Sequence, residues 1–509
     1  MFNLTPFLRL YAAYRSKQLF RLSPVQAQER ELSTLVKKAA NTKFGLQHNF
    51  SRISCVADYQ NAVPLRTYEE FWNDYWKSGY PVLTNCTWPG TIPYFPVSSG
   101  TTSGTTKYIP CSQEMIQSNN KAGVDMLIYH VTNRPNSQIL GGKSFMLGGS
   151  TDLSEASPGV FVGDLSGIAV KAMPWWARLR YFPPAELALL KNWEEKIDRL
   201  SKECLVEDIR MISGVPSWLL IFFDRMKQLI PESAGKLNGL FKNLELIIHG
   251  GVNFSPYQEQ FQKLLDGSNA ELREVYPASE GFIATADRGS GEGLRLNLDH
   301  GIFFEFVPLE ELGSPNPTRH WIKNVQKDVN YAVIMTTCAG LWSYIIGDTV
   351  RFVDLNPARV LVTGRTKYYL SAFGEHLIAE ELERAVAEGA SKIHATISDY
   401  AVGPLYPEPG GLGGHIYFVE FNKEISGQDL EHFSQIVDLE LCRLNEDYEA
   451  HRAKGFGLKP PTVLPVKHGA FAAWMKSRGK LGGQNKVPRI ITDKDLLDHI
   501  TGFMREQRT

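Results

Sequence analysis

Apolar positions in "MFNLTPFLRLYAAYRSKQLF" recur at helical spacing, so the chain is expected to open with an amphipathic helix. "SPVQAQERELSTLVKKAANTKFG" predicts a second helix, with Ser23 as N-cap, Pro24 in the first turn and Gly45 just past the end. "TIPYFPVSSG" is a strand-like run that leads into a loop crowded with hydroxyls, and a helix is expected from Ser112. Short strands and turns are expected between Lys143 and Val170. "PAELALLKNWEEKIDRLSKECL" and "VPSWLLIFFDRMKQLI" predict helices, the second too apolar to be exposed on any face. "NLELIIHGG" and "AELREVYPASEG" predict buried strands ending at turns, while "GIFFEFVPL" and "NYAVIMTTCAGLWSYIIGDTVRFVD" predict antiparallel strands.

After "ARVLVTGRTKYYLSAFGEHL" the pattern changes to helix, strand and long helix, in "IAEELERAVAEG", "GHIYFVEFN" and "DLEHFSQIVDLELCRLNEDYEAHRAKG". This predicts a separate small α/β domain, with residues 1–365 forming the first domain and 366–509 the second. The Pro/Gly-rich "GPLYPEPGGLGGH" is expected to be a surface connection.

The chain has 509 residues, too many for one ordinary core. A formal net charge of -1 gives no global field for nucleic acid or an anionic membrane. For that reason the N-terminal helix is expected to pack on the protein's own body, with membrane contact as the alternative, and its apolar runs are too short for a signal-peptide core or a membrane span. Six cysteines stand singly, without a CxxC pair, which disfavours a zinc ribbon or a disulfide framework and suits a reduced, cytoplasmic setting; a monomer is expected.

"SSGTTSGTTKYIP", Ser98 to Pro110, sets seven hydroxyl residues and two glycines around a turn that ends at Lys107. Such a loop offers backbone N–H groups, hydroxyl donors and a cation to phosphate. It lacks the Gly-Lys-Ser/Thr closure of Walker-type loops, and by itself it could equally be a flexible linker. Four further segments follow in order. They are the Gly250-Gly251 turn of "HGGVNFSPYQEQF"; "VYPASEG", with Tyr276 four residues before Glu280; "YIIGDTVRF", with Asp348; and "GRTKYYLSAFGEHLIAEELE".

Together these segments resemble the ordered motifs of acyl-adenylate-forming enzymes. With "GVPSWLLIFFDRM" and the closing "GGQNKVPRI", the fuller resemblance is to the GH3 family of acyl-acid amido synthetases, closer to the bacterial type than to the plant enzymes. It implies an α/β fold with a large N-terminal adenylate-forming domain of mixed sheets and helices, and a smaller mobile C-terminal domain. It also implies ATP and Mg²⁺ as requirements, with a small carboxylic acid and an amino acid or other amine as substrates. On this resemblance Ser98, Ser99, Gly100, Thr101, Thr102 and Lys107 grip phosphates, and Glu280 is the Mg²⁺ ligand. Ser279 donates to the α-phosphate, Gly250, Gly251 and Tyr276 receive adenine, and Asp348 accepts the ribose hydroxyls. Arg365 adds a planar donor, Lys367 is the hinge, and Lys486 is the mobile catalytic lysine, with Lys480 as its rival. Trp218, Leu219 and Phe222 would flank the acyl pocket, although core packing explains the same residues. His376 stands where plant members carry a lysine, which leaves its role open. Thioester formation on coenzyme A or a carrier is the alternative enzymatic outcome, and a non-catalytic nucleotide- or acid-binding protein is the other class.

Overall fold

The computed structural model folds these patterns around a twelve-stranded mixed sheet. It describes residues 2–99, 106–148, 153–173, 175–188, 190, 193–233, 235–251, 254, 257–289, 291–366, 369–370, 377–405, 413–445, 448–449, 452, 458–480 and 486–507. One half of the sheet is parallel: Tyr181–Phe182, Lys143–Leu147, Ile209–Gly214, Leu246–Gly250 and Glu271–Ala278. Parallel pairing needs crossovers, and the intervening helices supply them and cover the faces. From Gly281 onward the sheet continues through Gly281–Thr285, Leu294–Leu296, Ala358–Arg365, Tyr344–Leu355, Asn330–Thr337, Ile302–Pro308 and His320–Trp321. The paired strands recorded in this half are antiparallel, as expected for "GIFFEFVPL" and its successor. Every residue of Ile302–Pro308 is buried. The Pro24–Ala39 helix lies over that strand, and the buried Gln28 amide donates to the Leu298 and Ile302 carbonyls and accepts from the Phe304 N–H.

A second sheet of four strands contains the hairpin Tyr94–Ser99/Thr106–Tyr108, with Ser99 opposite Thr106. The described ends of the hydroxyl-rich segment, Ser98–Ser99 and Thr106–Lys107, therefore pair as antiparallel strands. Ser112 then caps the Gln113–Asn133 helix, accepting from the Met115 N–H, as expected.

The chain divides into two compact units. One holds Met1–Val252 and Leu265–Val362, the other Asn253–Leu264 and Thr363–Thr509. The short segment Asn253–Leu264, which the sequence division places in the first domain, belongs with the second. In that second unit three strands, Ile397–Leu405, Gly414–Phe421 and Thr462–Val466, form one sheet. Alternate residues face opposite ways: Tyr400, Val402, Tyr417 and Val419 share a core with Phe433 and Val437, whereas Ala401, Ile416 and Phe418 pack with Trp474 and Ile500.

Several boundaries differ from the sequence reading. The second helix stops at Ala39, and Thr42 caps a new turn, Lys43–Gln47. Gly45 sits inside that turn rather than past a helix end, because a Cβ there would meet the Ala39 carbonyl oxygen at 2.1 Å. The helix expected across 184–205 appears as Ala185–Ala188 and Trp193–Glu203. Val170, expected among strands and turns, lies in the Leu165–Ala172 helix. The Pro216–Leu229 helix does expose one apolar position, Ile221. The long helix of the second unit, Gly427–Leu444, ends at Asn445.

The N-terminal helix Thr5–Arg21 packs Leu8 and Ala12 against Met126 and Ile128. Its buried Arg15 reaches Asp125 at 2.6 Å and Asp299 at 2.7 Å, and His300 lies 3.1 Å from each carboxylate. Among the described residues Asp125, Asp299 and His300 form a metal-like cluster, but Arg15 already bonds both carboxylates and Lys121 reaches Asp299 at 3.1 Å, so the group works as a clamp. All six cysteines are free thiols. Among the described residues no helix is long and apolar enough to cross a membrane.

A second buried cluster gives a pH-dependent contribution. The His130 ring nitrogens lie 2.6 Å from Glu271 and 3.5 Å from Glu245, whose carboxylates also meet Arg134, Arg273 and Arg210. Burial works against a charged imidazole, but the two glutamates outweigh it and raise the His130 pKa above its ordinary 6.5. Burial likewise raises Glu271, yet His130 and Arg273 bring its carboxyl down from 4.5 to about 2. The imidazolium's contribution is complete below 6.5 and is lost as pH rises through the raised value. The carboxylates' contribution is present above 4.5 and is lost as pH falls toward 2. The melting temperature of wild type should therefore exceed that of His130→Gln by most between those two ordinary values, and the gap should narrow on either side. A gap that does not vary with pH would show that His130 is not charged in the folded protein.

Candidate nucleotide-binding site

Two loop-bordering motifs carry a tyrosine four residues before a carboxylate: Tyr276 before Glu280, and Tyr344 before Asp348. The structure crosses them. The Tyr276 hydroxyl donates to Asp348 Oδ2 at 2.6 Å, and the Tyr344 hydroxyl donates to Glu280 Oε1 at 3.3 Å. Glu271–Ala278 and Tyr344–Leu355 are four strand positions apart in the sheet order. In a flat sheet they would lie roughly 19 Å apart, further than a tyrosine and an acidic side chain can bridge. The antiparallel half must curl back on itself for both contacts to form.

Glu280 sits in the tight turn between Glu271–Ala278 and Gly281–Thr285, beside Ser279, and is buried. Burial, together with the neighbouring Glu280 charge, holds the Tyr344 pKa well above its ordinary 10.0, so its hydroxyl stays a donor. Tyr344 is fixed from behind. Ser343 adopts φ 45°, and its hydroxyl accepts from Arg319 at 2.7 Å and donates to Glu305 at 2.9 Å. Glu305 is fully buried and pairs with Arg319 at 2.8 Å, while Gln60 donates to the same carboxylate at 2.9 Å. A buried charge pair of this kind persists only where its hydrogen bonds are satisfied.

The Gly250-Gly251 turn ends the neighbouring parallel strand. A Cβ on Gly250 would meet the Val275 carbonyl oxygen at 2.2 Å, and Gly251 takes φ +82°, so both positions favour glycine. His249, just before them, is buried, and burial pushes its pKa down to about 3, which keeps it neutral. Glu274, its partner across the pairing, is pushed up to about 7 by burial.

Lys107 lies opposite Ser98 in the hairpin, with its ammonium 5.3 Å from the centre of the Tyr68 ring. Ser98 and Ser99 end the first hairpin strand. Gly100, Thr101, Thr102, Lys367 and His376 lie outside the described residues. Leu219 and Phe222 are fully buried, and Phe222 stacks on Phe145 at 4.7 Å, so both join the Pro216–Leu229 helix to the sheet. Trp218 on the same helix is half-buried. Arg365 is the last residue of the Ala358–Arg365 strand. Lys486 is exposed and Lys480 half-buried, both in the second unit. The sequence reading missed Tyr344 and the Ser343–Glu305–Arg319 support. Tyr344 was visible as the first residue of "YIIGD", but only the curl of the sheet reveals its partner.

The sequence matches the GH3 family N-terminal domain over residues 18–270, the central domain over 296–365 and the C-terminal domain over 380–495. The chain belongs to the GH3 family. Among curated proteins it is 29% identical over 180 residues to a probable indole-3-acetic acid-amido synthetase, GH3.7, of Oryza sativa subsp. japonica, covering 33% of this chain and 29% of that one. It is 24% identical over 312 residues to a putative indole-3-acetic acid-amido synthetase, GH3.9, of Arabidopsis thaliana, covering 56% of this chain and 49% of that one. The chain thus aligns with about a third to a half of the length of these GH3 relatives. Among solved structures, the GH3.15 acyl acid amido synthetase superposes with a TM-score of 0.79 at 17% identity, over 100% of this chain and 97% of that one. A 2-hydroxyisobutyryl-CoA ligase in the postadenylation state superposes with a TM-score of 0.60 at 12% identity, over 94% and 91%. The GH3 fold shares its architecture with adenylate-forming ligases, as the motif order implied.

The close approach at Gly250 gives a direct check of this turn. Gly250→Ala should destabilise the protein by about 1–3 kcal/mol, since a backbone carbonyl rather than a movable side chain stands in the way. Urea unfolding indistinguishable from wild type would contradict the packing described.

Proposed function

We propose that this GH3 protein adenylates a carboxylic acid with ATP and transfers the acyl group to the amine of an amino acid. The reciprocal tyrosine–carboxylate contacts carry the reading, since they gather two carboxylates beside a Gly-Gly turn in a chain of this family. In the first step an oxygen of the acid attacks the α-phosphorus, the bond to the bridging oxygen breaks, and pyrophosphate leaves. Two anions must meet, so their repulsion has to be cancelled and the reacting atoms held in line. Ser98, Ser99, Gly100, Thr101, Thr102 and Lys107 bind the phosphates, and Ser279 donates to the α-phosphate. Gly250, Gly251 and Tyr276 receive the adenine, Asp348 accepts the ribose hydroxyls, and Arg365 supports them. A buried carboxylate that accepts from a hydroxyl suits a hard cation that keeps most of its own water, and so Glu280 is assigned to Mg²⁺. When bound, Mg²⁺ supplies positive charge to the phosphate oxygens.

In the second step the amine nitrogen attacks the acyl carbon, the carbon–oxygen bond to phosphate breaks, AMP leaves and the nitrogen gives up a proton. Lys486 serves the first step from the C-terminal domain, residues 366–509, with Lys367 as the hinge that lets the amine enter. Trp218 keeps the acyl-pocket role, whereas Leu219 and Phe222 act through the packing that holds its helix.

Glu280→Gln preserves shape and removes charge, so acid-dependent exchange of pyrophosphate into ATP should slow roughly ten- to a thousand-fold. Unchanged exchange at saturating acid would take Glu280 out of the metal role. Lys107→Ala should raise the ATP requirement far more than the acid requirement. Equal effects on both substrates, with a lowered melting point, would mark a folding defect instead. Offering a panel of amines and thiols, with products read by mass spectrometry, distinguishes amide formation from thioester formation.

A further inference from the structure

The N-terminal helix Thr5–Arg21 is apolar on two sides. Its inner stripe, Leu8, Ala12 and Leu19, packs on the body. Its outer stripe, at the same helical spacing, is Phe7, Leu10, Tyr11 and Tyr14, of which Phe7 is 62%, Leu10 73% and Tyr14 61% exposed. A helix with one face on its own protein ordinarily turns charged and polar residues to water on the other. Phe2, just before the helix, and Phe20, on an adjoining face near its end, add exposed apolar surface, and Phe20 is 91% exposed. Leu179 widens it, because the neighbouring Arg180 guanidinium donates to the Phe2 carbonyl.

The charges on this helix have one sign. Lys17 and Arg21 are exposed, and no Asp or Glu occurs before Glu29. Arg15 does not contribute, since Asp125 and Asp299 neutralise it. We infer that this face docks on an anionic lipid surface, with the helix lying in the plane of the interface. The Phe and Leu side chains enter the boundary between headgroups and acyl chains, the Tyr hydroxyls stay at headgroup level, and Lys17 and Arg21 meet lipid phosphates. The overall charge of -1 does not oppose this, because attraction to the surface is local and decays within a Debye length. Single-sign charge also disfavours a second copy of the helix as the occupant, since two such faces would set like charges together.

The test is co-sedimentation of the full chain with vesicles of equal parts phosphatidylcholine and phosphatidylglycerol, against phosphatidylcholine alone. Wild type should pellet with the anionic vesicles, leave the neutral ones in large part, and be released by salt. The combined change Phe7→Ser, Leu10→Ser and Tyr14→Ser should lower binding at least about tenfold with an unchanged melting curve. Lys17→Glu with Arg21→Glu should do the same at low ionic strength. Equal binding of wild type to both vesicles, or to neither, overturns the proposal, whatever the variants do. So does a dimeric wild type that the serine variant converts to monomer, which would assign the face to a second copy.

Discussion

Two hydrogen bonds, Tyr276 to Asp348 and Tyr344 to Glu280, set the constraint that the rest of the first unit satisfies. Each tyrosine bonds the carboxylate of the other motif, so neither motif can move without disturbing both. The contact requires the antiparallel half of the sheet to curl, and the curl requires apolar residues on both of its faces. The fully buried Ile302–Pro308 strand, with the Pro24–Ala39 helix laid over it, meets that requirement. Buried apolar area is what holds the curve, and the curve is what brings the carboxylates together.

Polar groups inside that core fix the register that apolar burial alone would leave loose. Arg319, Glu305, Ser343, Tyr59 and Gln60 form one connected network, and the Tyr59 hydroxyl also meets Thr336 at 2.6 Å. Ser343 holds a left-handed backbone within this network, immediately before Tyr344. A cost of that kind at a non-glycine residue is sustained only where surrounding bonds over-determine the conformation. The direction of Tyr344, and through it the position of Glu280, is therefore set by a charge pair reached from two other elements.

Much of this was legible in the sequence, and the unread parts share a cause. Strands such as Leu246–Gly250 and Ile302–Pro308 could be read because their signals are local: apolar runs bounded by Gly or turn residues. The chemical residues Glu280 and Asp348 could be read because their motifs occur in family order. Gly45 was misread, since a glycine after an apolar helix looks like a stop signal, whereas its use here is close approach to the Ala39 carbonyl. The Tyr344–Glu280 bond and the Arg319–Glu305 pair are long-range, and no spacing in the chain announces them. The outer face of the first helix was legible in composition but not in orientation. Its apolar residues predict packing on the body, and only the fold shows that half of them are left outside.

The central claim is that this curled site joins an acid to the α-phosphate of ATP. The most direct measurement supplies a substrate acid with heavy oxygen in its carboxylate, together with ATP, Mg²⁺ and an accepted amino acid, and reads the label in the products by mass spectrometry. Adenylation predicts AMP that carries one labelled oxygen, formed in step with the amide. Label appearing in inorganic phosphate, with ADP as the nucleotide product, would mean attack at the γ-phosphorus and would contradict the account.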